Sequence, residues 1–297
     1  MSARIPLPRD LAARPFTFRE GLDRGLSEKR LRGADLQRPF RGVRVVSSAT
    51  LTVSELCLAL QSKLPRYASF CGVTAAVIMG IPLPWRLEVS TVVHVCVPAP
   101  RRAPVGRNIR GHSLSITASE VRLWHGLRLT TPERTWCELA SVLTLPELVA
   151  AGDFIAHWRL PLATITALED VAATFTGRRG LHVMRAAIPL LSDRSESPQE
   201  SRLRVIVLQA RLTGLVVNLP ITTVDGYRYR ADLAFPAKKV IIEYQSEFHR
   251  GPERFRADMT RISRLEADKW YVVQVNANDL DNPAELVRRI VRVLAGR

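Results

Sequence analysis

Acid is in short supply in this chain. Its 297 residues carry 28 Asp and Glu against 43 Lys and Arg, a formal net charge of +15. That balance excludes an acidic solvating chain and favours an anionic partner, either nucleic acid or an anionic membrane surface. The surplus is spread along the sequence, and most of it is arginine, whose planar fork suits phosphate oxygens. Cysteine is scarce as well. Cys57, Cys71, Cys96 and Cys137 share no CxxC spacing and each sits in an apolar segment. Buried reduced thiols are expected, rather than a zinc site or a disulfide framework. No run approaches ~18 apolar residues, so no membrane span is expected. The opening MSARIPLPRDLAARPF lacks the apolar core of a signal peptide. The expectation is a cytoplasmic protein with no membrane partner.

Hydrophobic residues make up 46% of the chain, enough to bury real cores. The length predicts two or three domains. Residues 1–50 read as two short helices about Gly25, the second capped by Ser27 and running Glu28–Asp35, followed by a strand in Arg38–Val46. That order fits a winged helix-turn-helix, and the segment through Arg44 carries eleven basic and five acidic residues. Residues 51–192 read as mixed α/β and then helical. They include a basic loop at Pro98–Gly111 and a helix with Pro132 in its first turn. No nucleophile–base pairing or phosphate loop stands out there. The turn-rich SDRSESP stretch (Ser192–Pro198) marks the next boundary. Residues 193–297 then run helix, three strands, helix, strand, helix, which predicts a mixed sheet flanked by helices. The fold class expected is α/β, in the α+β multidomain sense.

The chemistry concentrates in YRADLAFPAKKVIIEYQSEFHR (Tyr229–Arg250). Asp232 sits in one apolar strand, and Glu243 and Gln245 lie at the end of the next. A hairpin would bring these three groups to one sheet edge. Acids held there by apolar neighbours suit Mg²⁺, which takes oxygen ligands and often only one or two carboxylates. Gln245 shares a strand face with Glu243. His249 follows as a possible proton carrier. Glu200, on the preceding amphipathic helix, could approach from outside the sheet. Without those additions, Asp232 and Glu243 would read as strand-end surface charges.

These residues carry a resemblance. SPQESRLR (Ser197–Arg204), RADLAFPAKKVIIEYQSEFHR (Arg230–Arg250), FRADMTRISRLEADKWYVVQV (Phe255–Val275) and the final helix resemble the very-short-patch-repair-like endonucleases of the PD-(D/E)XK superfamily. The resemblance covers about 100 residues. It implies Asp232, Glu243 and Glu200 as ligands of Mg²⁺ (or Mn²⁺), with Gln245 and His249 completing the catalytic set. The chain departs from the pattern at Gln245-Ser246, where the group usually carries Asp-Gly. Gln keeps an acceptor oxygen but cannot act as a base. More loosely, the N-terminal start with Cys71–Pro84 and Leu127–Ala140 resembles actinobacterial proteins with an AbiE-type antitoxin/regulator module. That resemblance implies DNA binding. Double-stranded DNA is the expected partner, contacted through Arg30, Arg32, Arg41, Arg44, Arg250, Arg254 and Arg261. The protein is expected as a monomer or homodimer. The expected activity is a metal-dependent DNA endonuclease or nickase, in defence against foreign DNA or in repair. The alternative is a DNA-binding regulator or antitoxin built on an inactive nuclease fold.

Overall fold

The structure is a computed structural model that describes residues 5–46, 51–245 and 252–297. In chain order it runs α1 (Arg9–Ala12), β1 (Phe16–Thr17), α2 (Phe18–Asp23), α3 (Glu28–Leu31), β2 (Leu36–Gln37), β3 (Val43–Val46), α4 (Val53–Gln61), β4 (Ser69–Phe70) and α5 (Gly72–Met79). It continues with α6 (Trp85–Glu88), β5 (Val93–Pro98), β6 (Ile109–Leu114), β7 (Val121–Trp124), β8 (Leu127–Thr130), α7 (Pro132–Leu139), α8 (Leu145–Ala156), α9 (Ile165–Thr174) and α10 (Leu181–Ala187). The remainder is α11 (Pro198–Gln209), β9 (Val216–Thr222), β10 (Arg228–Phe235), β11 (Val240–Tyr244), α12 (Pro252–Ala267), β12 (Tyr271–Val275), α13 (Ala277–Asp281) and α14 (Pro283–Ala295). The protein is mixed α/β with three sheets, ordered β1-β3-β2, β6-β5-β4-β8-β7 and β12-β11-β10-β9.

Two compact units divide the chain. One comprises Met1–Val142 with Thr166–Leu181, the other Leu143–Ile165 with His182–Arg297. This partition differs from the three segments expected from sequence. Helix α8 joins the C-terminal unit because its Asp153 is buried there and bound to Ser201 and Arg204 of α11.

In the first unit, the small antiparallel sheet closes over Leu11, Phe16, Leu26, Leu31 and Leu36. A Cβ on Gly21 would meet a Leu31 methyl at 2.6 Å, so glycine lets α2 and α3 approach. The Ser27 cap forms as expected, its hydroxyl accepting from Arg30 N–H at 3.2 Å. The helix stops at Leu31, four residues short of Asp35, because Asp35 folds back to bind the Arg30 guanidinium. Within Arg38–Val46 the strand is only Val43–Val46. A winged helix is therefore not established by this geometry. The five-stranded sheet is mixed, with β4/β8 and β5/β6 parallel. Helix α5 stops at Gly80 (φ 71°), as its sequence predicts. The end of the expected Pro98–Gly111 loop is instead the start of β6. All four cysteines are free and buried, which agrees with the reading from spacing.

In the second unit, β9, β10 and β11 are antiparallel neighbours and β12 joins β11 in parallel. The expected mixed sheet flanked by helices is present. One face buries Leu233, Phe235, Val240 and Ile242 against Leu203 and Ile206 of α11 and Leu286 and Ile290 of α14. The other buries Ala231, Ala234 and Ile241 against Leu265 of α12. Among the described residues, no helix is long and apolar enough to cross a membrane.

Candidate functional site

Helix α11 brings the first acid to the sheet. Ser197 caps it, accepting from Glu200 N–H at 3.2 Å, and Pro198 occupies the first position. The Glu200 carboxylate accepts from the Ser197 hydroxyl at 2.9 Å and from Glu196 N–H at 3.1 Å. Burial raises its pKa, and the charge of Asp232 raises it further.

Asp232 comes from β10 at a break in the strand. Alternation should put residues 229, 231, 233 and 235 on one face. Tyr229 and Ala231 instead pack on the α12 side, and Leu233 and Phe235 on the α11 side. The register with β9 skips the same point, pairing Ala231 with Leu219 and then Leu233 with Val217. The residue left opposite Asp232 is Asn218, in the left-handed region at φ 55°, which Asn tolerates better than most residues. The kink opens a small cleft lined by Asp232, Asn218, Glu200, Leu203 and Arg204. Its free volume is about 20 Å³, room for one ion or water and not for a nucleotide. Among the described residues Asp232 makes no hydrogen bond or ion pair. Burial raises its pKa, offset by the more distant charges of Arg230 and Arg261.

Glu243 goes elsewhere. The register Leu233↔Ile242, extended by one residue, sets Asp232 against Glu243. Yet Ile242 faces α11, so Glu243 faces α12. There both its oxygens accept from Arg261 Nη1, at 2.9 and 2.7 Å, and the same nitrogen donates to the Tyr229 hydroxyl at 2.8 Å. The pair is buried, with side-chain exposures of 7% for Glu243 and 15% for Arg261. The expected convergence of Asp232 and Glu243 is therefore corrected. They share an end of the sheet but leave it on opposite sides, because the strand kinks at Asp232 and not at Glu243. Among the described residues, no group of three or more His, Cys, Asp or Glu is placed to hold a metal ion. Two carboxylates, Glu200 and Asp232, do share one cleft.

Gln245 follows β11, its N–H bonded to Val275 O at 2.7 Å. His249 and Arg250 lie outside the described residues, as does the side chain of Arg254. Arg261, expected on nucleic acid, is engaged with Glu243. Arg30 and Arg44 are also corrected as surface contacts, being only 8% and 7% exposed. Arg30 pairs with Asp35 at 2.8 Å. Arg44 donates to Leu31 O at 2.6 Å and lies over the Phe18 ring. Arg32 and Arg41 are exposed. Sequence reasoning missed Asn218 and the buried Asp153–Arg204 pair beneath the cleft. An Asn inside an apolar strand was the available signal for the first.

No protein-family model matches the chain. It is 29% identical over 231 residues to the uncharacterized protein Rv2248 of Mycobacterium tuberculosis, covering 77% of this chain and 82% of the relative. The uncharacterized protein MT2308 of another strain of that organism matches to the same extent. Among solved structures, the RV2827C protein from M. tuberculosis aligns with a TM-score of 0.43 at 17% identity, over 66% of this chain and 78% of that one. The chain is thus homologous to mycobacterial proteins whose names state no activity.

Proposed function

We propose that the C-terminal unit is a PD-(D/E)XK-like, metal-dependent DNA endonuclease or nickase. One observation carries the reading: the half-buried Asp232 carboxylate, without a bonding partner among the described residues, lines the same ion-sized cleft as the half-buried Glu200. Desolvation raises the pKa of both acids, and the charge of Asp232 raises that of Glu200 further, so a cation taken up there lowers the free energy of the charged forms. Mg²⁺ or Mn²⁺ is suited to such a site, since one or two carboxylates and water can complete its shell. When bound, the ion would polarise a scissile phosphate and acidify water. Glu200 and Asp232 would hold it, and Ser197 and the helix cap fix the orientation of Glu200. Arg261 holds Glu243 out of this cleft, so Glu243 acts as a positioning group for α12 in the form described. Gln245 offers an acceptor for water beside the sheet end. The spread positive charge, including exposed Arg32 and Arg41, supports duplex DNA as the substrate class.

The Arg261–Glu243 pair favours a second reading. With one of the three expected acids neutralised and Gln245 in place of an acid, the fold would serve DNA binding alone, as a regulator or antitoxin. A plasmid assay separates the two. Supercoiled DNA is incubated with protein and Mg²⁺, Mn²⁺ or EDTA, wild type beside Asp232→Asn and Glu200→Gln. Nicking lost with EDTA and reduced at least ~100-fold by either substitution establishes the nuclease. Metal-independent binding with no cleavage of unmodified, modified or mismatched DNA establishes the regulator.

A further inference from the structure

A cavity within the first unit lies far along the sequence from the acidic cleft and is built from different chemistry. Its volume is about 690 Å³, in the range of small-molecule sites. Strands β5 and β6 form one wall. Their parallel register sets His94 against Arg110 and Cys96 against His112. The His94 and His112 rings stack 5.3 Å apart, with Nδ1 of one 3.2 Å from Nε2 of the other. At Gly111 the wall packs directly on the Pro104 backbone, since a Cβ there would meet Pro104 O at 2.0 Å. A second wall is α7, and the segment Phe175–Arg179 forms a third. Gly180 anchors that segment, since a Cβ there would meet Ala140 O at 2.0 Å.

Charge on the lining is unevenly paired. Arg134 is buried and neutralised, at 2.9 Å from both Glu138 and Glu120. Glu138 also accepts from Gly72 N–H at 2.8 Å, so it is doubly engaged. Arg110, Arg178 and Arg179 are exposed at the cavity and make no ion pair among the described residues. Burial first, then His112 and Arg110, push the His94 pKa down to about 4. Burial and Arg110 lower that of His112. Both rings are therefore neutral near pH 7, a fixed donor–acceptor pair rather than extra charges. Phe175, beneath the Arg134 guanidinium at 4.9 Å, adds an aromatic wall.

Three guanidinium groups with no ion pair among the described residues, a neutral polar pair and an aromatic wall around one nucleotide-sized space match a ligand with a dianionic end and a flat polar end. We propose that this cavity binds a small phosphate monoester of mononucleotide size. The arginines would take the phosphate, and the His94–His112 pair would meet the polar edge of the ring.

Isothermal titration of the full chain with AMP, CMP, GMP and UMP tests this, beside the matching nucleosides, inorganic phosphate and a short 5′-phosphorylated oligonucleotide. The expected result is saturable binding of at least one mononucleotide. It should be at least tenfold tighter than its nucleoside and than phosphate. Arg110→Ala, or Arg178→Ala with Arg179→Ala, should weaken it at least tenfold. These residues are exposed, so the variants should melt with wild type, and Asp232→Asn should bind as wild type does. No saturable mononucleotide binding, equal binding of inorganic phosphate, binding of the oligonucleotide alone, or affinity untouched by the arginine substitutions would each overturn the proposal.

Discussion

Two aspartates of the C-terminal unit are both taken largely out of water, and they are treated in opposite ways. Asp153 accepts from Ser192 N–H and the Ser201 hydroxyl at 2.7 Å each and from Arg204 at 2.6 Å. Asp232 accepts nothing among the described residues. Burial raises the pKa of both, but only for Asp153 do direct bonds pull it back. A buried carboxylate with both oxygens hydrogen-bonded holds structure together, whereas one left bare stores an electrostatic cost that a cation can remove. Burial and charge alone do not separate a structural acid from a functional one; the bonding inventory does.

Removing the bonded acid should have the largest effect. Asp153→Ala strands the Arg204 guanidinium and should cost about 3–5 kcal/mol. A urea-unfolding free energy within ~1 kcal/mol of wild type would show that the pair does not hold α8 to α11. The Arg261–Glu243 pair should come next. Arg261→Met removes the guanidinium that both Glu243 oxygens accept from, at a cost of roughly 2–4 kcal/mol, and Glu243→Gln in that background should recover most of it. A double-mutant cycle with no coupling would remove the pair from this account. Asp232→Asn should act in the opposite direction and gain about 0.5–2 kcal/mol in EDTA at pH 8. The sign follows from linkage. With its folded pKa raised, Asp232 keeps its proton longer folded than unfolded, so it costs nothing below its unfolded value of about 4. Its destabilising contribution then grows as pH rises through the folded value. The advantage of Asn should vanish toward pH 4, and added Mg²⁺ should raise the melting temperature of wild type only. The smallest effects are expected at Arg32 and Arg41. Alanine at either should change stability by under ~0.5 kcal/mol and flatten the salt dependence of DNA binding by about one unit.

Much of the C-terminal unit was readable in advance. Ser197-Pro198 started α11, and the run Val240–Ile242 lay in β11, because caps and apolar runs are local signals. The side chosen by each acid was not readable. Period-two alternation puts Asp232 and Glu243 together only if both strands are regular, and one left-handed residue on a third strand, Asn218, breaks that condition. Arg30 and Arg44 misled for a related reason. Arginine reads as surface charge, yet Asp35 and the Leu31 carbonyl supply partners from thirteen residues away or fewer. Those partners become visible only when α3 ends early. Likewise, nothing local in α8 says that it belongs to the later unit; the tie is Asp153, reaching residues 39 to 51 positions on.

The path of the backbone between the units has a consequence for synthesis. The chain leaves the first unit after Val142, returns for Thr166–Leu181, and leaves again. A ribosome that has made 142 residues has therefore not yet made all of the first unit, whose last segment carries Phe175 and the two arginines of the cavity. By the time that segment emerges, α8 is already waiting for α11. Neither half can be cut out at one position, so a fragment ending at 142 or 192 should aggregate where the intact polypeptide folds.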